Sequence, residues 1–103
     1  MLERVMRVLA LKHLREFWEK NPRAKDDLRA WYAIADKADW SSPQDIKNTF
    51  RKGVDFVGDN RVIFDIRHNE FRLIVRVSYQ YRSMLIKFVG THAEYDRIDP
   101  ETV

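Results

Sequence analysis

Near residue 54 the spacing of apolar side chains changes from about every 3.6 residues to every second residue, and few folds accept both halves of such a chain. Helices in the first half have one apolar stripe to bury, and strands in the second half have one apolar face. The economical solution is to lay one on the other, giving an α+β domain. Upstream of the change, Leu11, Leu14 and Trp18 recur at i, i+3 and i+7 with Phe17 beside them, so a helix is expected over about residues 10–20. Asn21-Pro22 then supplies an N-cap and a first-turn proline, and Leu28, Trp31, Tyr32 and Ala35 continue a second helix over about 22–38. So short a link implies an antiparallel helical hairpin, with Phe17, Trp18, Leu28 and Trp31 available for its seam. Ser42-Pro43-Gln44-Asp45 opens a third, short helix that Gly53 ends.

Downstream, Val62, Phe64 and Ile66 alternate with Ile63, Asp65 and Arg67, and Phe71, Leu73, Val75, Val77 and Tyr79 alternate with Arg72, Ile74, Arg76 and Ser78. Met84, Ile86 and Phe88 alternate with Leu85, Lys87 and Val89 in a further strand, joined to the others by short hairpins at 67–70 and 80–83. Val5-Met6-Arg7-Val8 can add a brief strand at the start. Helices covering the apolar face leave Arg72, Arg76 and Lys87 on the other, as a basic concave surface. The charge distribution supports this reading. Residues 61–89 carry six basic and two acidic side chains, whereas residues 90–103 carry one and four. A basic sheet face favours an anionic ligand, although a net charge of +3 is also ordinary for a chain with no polyanionic partner.

At 103 residues the chain suits one domain spanning 1–103, able to bury roughly 60–70% of its unfolded surface. With no cysteine there is no disulfide, no thiolate zinc site and no cysteine nucleophile, and a cytoplasmic setting is expected. No apolar run approaches the ~20 residues that span a bilayer, so no membrane association is expected. His13, His68 and His92 lack metal-ligand spacing, three glycines make no phosphate loop, and no serine stands in a nucleophile elbow. No metal or cofactor is expected.

The densest functional signal is Gly90-Thr91-His92-Ala93-Glu94-Tyr95-Asp96. Thr91 and Glu94 have capping-box spacing, with Gly90 releasing the strand, so His92 begins a short C-terminal helix with Tyr95 and Asp96 on its own face. A histidine there can exchange a proton near neutral pH, with Asp96 to orient it, or it can be a capping-turn residue without a task. His68, between Arg67 and Asn69, reads as a surface turn residue. Histidine, tyrosine, aspartate and arginine around a basic concavity suit phosphodiester chemistry on RNA, whose own 2′-OH is the nucleophile.

Leu14-Arg15-Glu16-Phe17-Trp18, Leu28-Arg29-Ala30-Trp31-Tyr32, Val62-Ile63-Phe64-Asp65-Ile66, Asn69-Glu70-Phe71-Arg72-Leu73 and the 88–96 segment together resemble the HigB family of type II toxins, in the RelE-type superfamily of mRNA interferases. The resemblance runs from about Met6 to the C-terminus. It implies a RelE-like fold, with a small antiparallel sheet, an N-terminal helical hairpin on one face and a short C-terminal helix. It also implies metal-independent endoribonuclease cleavage of mRNA on the ribosome and a HigA-type helix-turn-helix antitoxin. By motif position Arg72 would contact the scissile phosphate, His92 would be the general acid or base, and Tyr95 would support them. Arg76, Lys87, Asn69, Arg67 and His68 are the expected RNA contacts. Phe71 stands where tyrosine is common, and Arg67-His68 replace a more glycine-like turn. A non-catalytic RNA-binding or regulatory domain using the same face is the alternative, as is a subunit whose basic sheet receives an acidic peptide. Base stacking between the arginines is expected to be weak, because Phe71 and Tyr79 alternate onto the opposite face.

Overall fold

The computed structural model describes residues 6–103. A strand β1 (Arg7–Leu9) leads into helix α1 (Leu11–Lys20), a 3₁₀ turn (Pro22–Ala24), α2 (Lys25–Asp36) and α3 (Pro43–Phe50). Strands β2 (Val54–Val57), β3 (Arg61–Ile66), β4 (Phe71–Ser78) and β5 (Ser83–Thr91) follow, and α4 (His92–Tyr95) comes after β5. Among the described residues no helix is long and apolar enough to cross a membrane.

The sheet order is β1-β5-β4-β3-β2. All neighbours are antiparallel except β1 and β5, so the expected antiparallel sheet carries one parallel pair. The brief first strand lies at 7–9, slightly later than expected, and Val5 falls outside the described residues. Strand β2 is an addition, since four residues are too few for periodicity to reveal.

One face of the sheet carries Val62, Phe64, Ile66, Phe71, Leu73, Val75, Val77, Met84 and Ile86 against Leu14, Leu28, Trp31, Ala35 and Ile46 of the helices. Phe17 and Trp31, expected between the two helices, instead reach the sheet. Phe17 meets Phe71 edge-on at 5.6 Å and Trp31 meets Phe64 at 5.4 Å. Helices cover the apolar face as expected, but they are fastened to it more than to each other.

Two cap assignments need correction. Asn21 does not cap α2. Its side-chain amide donates to the Phe17 carbonyl at 3.2 Å, closing the end of α1, and the following proline starts a 3₁₀ turn instead of an α-helix. Ser42 makes no side-chain cap for α3. The Asp45 carboxylate accepts from the Ser41 N–H and hydroxyl at 2.9 and 3.0 Å, and these bonds hold its pKa below the ordinary carboxylate value.

The β3–β4 hairpin turns through Arg67 and His68, both left-handed at φ 52° and 59°. A side chain in this region costs about 1–2 kcal/mol, which glycine escapes while losing about 0.5–1 kcal/mol in backbone entropy. His68→Gly should therefore stabilise the protein by about 0.5 kcal/mol, raising Tm by ~2–4 °C in thermal unfolding. A lowered Tm would show that the His68 side chain contributes a contact that the strain argument leaves out.

Candidate active site

Strand β4 directs Arg72, Ile74 and Arg76 to the face opposite the helices. Their cross-strand partners are Asp65, Ile63 and Arg61 on β3. Arg72 is not solvent-facing, contrary to the reading of the sequence, because its side chain is only 12% exposed. Its Nε lies 3.2 Å from Asp65 Oδ1, and its terminal nitrogens donate to the carbonyls of Asn69 and Phe71 and to the Asn69 side-chain oxygen. The guanidinium carbon sits 5.5 Å from the centre of the Tyr95 ring. A planar guanidinium has five N–H donors in one fork, and these partners occupy four, so one terminal N–H is left for an incoming anion.

On the β5 side, Ile74 pairs with Phe88 but Val75 pairs with Ile86, so Lys87 is an extra, unopposed residue. This bulge reverses the alternation beyond it. Phe88, expected beside Met84 and Ile86 on the core face, instead joins Gly90 and Leu85 on the Arg72 face, while Val89 packs against the core. Phe88 lies 6.5 Å from Tyr95 between ring centres. Gly90 does not release the strand, which continues to Thr91. It makes room: a Cβ at position 90 would stand 2.5 Å from the tip of the Phe88 ring. Phe88 therefore joins the expected Tyr95 on a face where strand alternation placed no aromatic ring.

Helix α4 begins as expected. Thr91 Oγ1 accepts from the Glu94 N–H at 3.1 Å, and the Glu94 carboxylate accepts from the Thr91 N–H at 2.8 Å. The His92 N–H donates to the Glu70 carbonyl, fastening the helix to the β3–β4 hairpin. His92 Nδ1 lies 3.0 Å from Asp96 Oδ2. An ionised carboxylate can only accept, so this contact favours the ring tautomer with the proton on Nδ1 and leaves Nε2 as the nitrogen not engaged by Asp96. Glu70 accepts from Arg23 at 2.7 and 2.9 Å and from Arg67 at 3.2 Å. These bonds, Arg23 first, hold the Glu70 carboxyl below its ordinary pKa. Their contribution to stability is present above the unfolded carboxylate pKa and is lost as pH falls through the lower folded one.

Arg72, Asn69 and Tyr95 thus form one cluster with Asp65 and Phe88. His92 and Asp96 form a second, two residues beyond Gly90, which pairs directly with Arg72. His92 also lines a cleft of about 560 Å³ whose opposite wall is Lys20, Asn21, Pro22 and Arg23. The other expected contacts are dispersed. Arg76 lies along β4, paired with Asp59 at 3.0 Å. Lys87 lies not beside the arginines but in a second cleft, of about 390 Å³, with His13, Glu16 and Lys20 of α1. Arg67 is tied to Glu70, and His68 is exposed in the turn. Nor is the face an open concavity. Arg61 is 5% exposed beneath the C-terminal segment, donating to the main-chain oxygens of Pro100 and Val103, and Ile63 and Ile74 are buried outside the helix-side core. Among the described residues no three His, Asp or Glu side chains are grouped to hold a metal ion.

Asp65, Phe88, Glu70 and the Lys20–Arg23 corner escaped the reading of the sequence. Register counting from the hairpin could have paired Asp65 with Arg72. Nothing local marks the bulge at Lys87, and the corner residues reach the site through tertiary packing.

Over residues 24–98 the chain matches the HigB_toxin family, described as the RelE-like toxic component of a toxin-antitoxin system. It is 23% identical over 94 residues to the mRNA interferase HigB of Escherichia coli O6:H1, covering 90% of this chain and 91% of that protein. It is 29% identical over 92 residues to the mRNA interferase toxin HigB of Escherichia coli K12 and to the mRNA interferase HigB of Shigella flexneri, covering 88% of each chain.

Because Arg72 is enclosed, its removal should have a structural cost above that of a surface substitution. Charged hydrogen bonds contribute about 1.5–3 kcal/mol, discounted here because Asp65 remains partly solvated. Arg72→Ala should lose about 1–2 kcal/mol, seen as a lower urea midpoint at unchanged m. A midpoint equal to wild type would mean that the Asp65–Arg72 pair contributes nothing to folding.

Proposed function

The chain belongs to the HigB family of RelE-like toxins, the toxic components of toxin-antitoxin systems, and from that premise we propose that it is an endoribonuclease that cleaves mRNA, with His92 and Arg72 at the reacting phosphate. The relatives named as mRNA interferases support the activity. The observation that carries the site is the capped turn of α4. It presents a histidine with Nδ1 held by Asp96 and Nε2 free, two residues from the glycine that pairs with Arg72.

In this reading the ribose 2′-oxygen attacks the adjacent phosphorus, and the bond from phosphorus to the 5′-oxygen breaks. The products are a 2′,3′-cyclic phosphate and a 5′-hydroxyl. One proton leaves the 2′-OH and one reaches the 5′-oxygen: His92 Nε2 takes the first and returns it, or a solvent proton, to the leaving oxygen, while Asp96 keeps the ring oriented and stabilises the imidazolium formed between the two transfers. The one remaining N–H of Arg72, with the guanidinium charge behind it, meets a non-bridging phosphate oxygen, whose charge grows in the transition state. Tyr95 and Phe88 offer faces for unstacked bases, which suits a single-stranded substrate. Asn69 orients Arg72 through two acceptors. Cleavage on the ribosome, a HigA-type helix-turn-helix antitoxin that blocks this face, and a cytoplasmic site of action complete the proposal.

His92→Ala should reduce single-turnover cleavage by about 10²- to 10⁴-fold while leaving RNA affinity nearly unchanged. Wild-type cleavage should persist in chelator and yield cyclic-phosphate ends. Wild-type rates in the alanine variant would remove His92 from the reaction, and linear 5′-phosphate products would exclude attack by the 2′-OH.

A further inference from the structure

Most cations around the site already have anionic partners. Asp65 holds Arg72, Asp59 lies beside both Arg61 and Arg76, Glu70 holds Arg23 and Arg67, and Asp39 holds Arg82. Apart from Arg72, which keeps a free N–H for the reacting phosphate, such a pair can bind a phosphate only by sharing or surrendering its carboxylate, which offsets much of the gain. Lys20 and Lys87 differ. Among the described residues neither has an ion-pair or hydrogen-bond partner, and both line the 390 Å³ cleft between α1 and the end of β5. The two glutamates in that cleft are engaged elsewhere, Glu16 by Lys12 at 3.8 Å and Glu94 by the Thr91 N–H in the capping box. Lys20 and Asn21 also line the 560 Å³ cleft that contains His92. The two clefts therefore adjoin along the C-terminal end of α1, and a course runs from Lys87 past Lys20 to His92.

We propose that Lys20 and Lys87 bind the phosphate backbone of single-stranded RNA beside the scissile phosphate, so that the strand enters between α1 and the end of β5 instead of along β4 past Arg76. This rests on the ribonuclease reading above and gives it a substrate path. An ammonium group is a compact point charge that accepts phosphate in many orientations, which suits contacts independent of sequence. The bulge explains why Lys87 serves this cleft, since as the unopposed residue of β5 it leaves the alternation that would have placed it beside Arg72 and Arg76.

The test measures binding of a short fluorescent single-stranded RNA as a function of KCl, using His92→Ala protein to prevent cleavage. Lys20→Ala and Lys87→Ala are compared in that background, with Lys37→Ala, an exposed lysine outside both clefts, as the control for net charge. Each cleft variant should raise Kd severalfold and flatten the log–log salt dependence by about 0.7, the share of one single-strand phosphate contact. Lys20→Arg should restore most of the affinity, and Lys37→Ala should leave the slope unchanged. With His92 intact, the cleft variants should raise the KM for RNA cleavage severalfold, and Lys20→Arg should bring it back most of the way. A wild-type salt slope in both cleft variants would overturn the path while leaving the ribonuclease reading in place. Failure of the parent protein to bind or cleave RNA would remove the ribonuclease reading itself, and the path with it. Lost affinity for an acidic antitoxin segment with RNA binding intact would also overturn the proposal, marking the cleft as a protein-docking surface.

Discussion

Strands β4 and β5 pair along most of their length, with one interruption where Lys87 has no partner. A strand with strict alternation would have sent Phe88 into the helix-covered core and Val89 to the opposite face. The extra residue exchanges them, so Val89 packs inward and Phe88 meets Tyr95 on the face that carries Arg72. It also places Gly90 opposite Arg72, where the missing Cβ admits the Phe88 ring. The strand then ends in the Thr91–Glu94 capping box, which sets the start of α4 and hence the position of His92. One inserted residue thus decides which aromatic side chains accompany the arginine and where the helix bearing the histidine begins.

The second constraint is the enclosure of the central strands from both sides. β3 and β4 are buried on their helix-facing side by the main core and on the other side at Ile63 and Ile74. A cationic face cannot be covered by apolar groups alone, because an unpaired buried charge is strongly disfavoured. The acidic stretch after β5 meets that need. Its main-chain oxygens at Pro100 and Val103 accept from Arg61, and the Glu101 carboxylate accepts from the Gly58 N–H. Among the described residues no side-chain carboxylate of 90–103 pairs with an arginine of that face; Asp59 and Asp65 supply the counter-charges of Arg61, Arg76 and Arg72. Much of the positive charge that suggested a nucleic-acid partner is consequently used internally, and the unpaired lysines beside α1 acquire more weight than their number suggests.

Much of the architecture was legible because it depends on neighbours in sequence. Helices α1 and α2, strands β3, β4 and β5, the two hairpins between those strands and the capping box of α4 all follow from side-chain spacing or a four-residue motif. Misassigned caps at Asn21 and Ser42 show the limit of that logic. Both residues have the right chemistry, but the Phe17 carbonyl and the Asp45 carboxylate offered competing local partners. The pairing of His92 with Asp96 was legible from helical spacing, but motif order put them in one group with Arg72 and Tyr95, which instead form a separate cluster. The enclosure of Arg72 was not legible, because it depends on Asp65 across the hairpin and on the C-terminal segment closing over that face.

What the sequence determined by itself is the set of elements and the face each would bury, since hydrophobic period and capping act within a few residues. Which charges remain available to a ligand was decided by the tertiary structure alone. Arg23 finds Glu70 from 47 positions away and Arg61 finds Pro100 from 39, and no local pattern encodes either meeting. Coulombic and hydrogen-bond partners are chosen by proximity in space, and only the folded chain sets those distances.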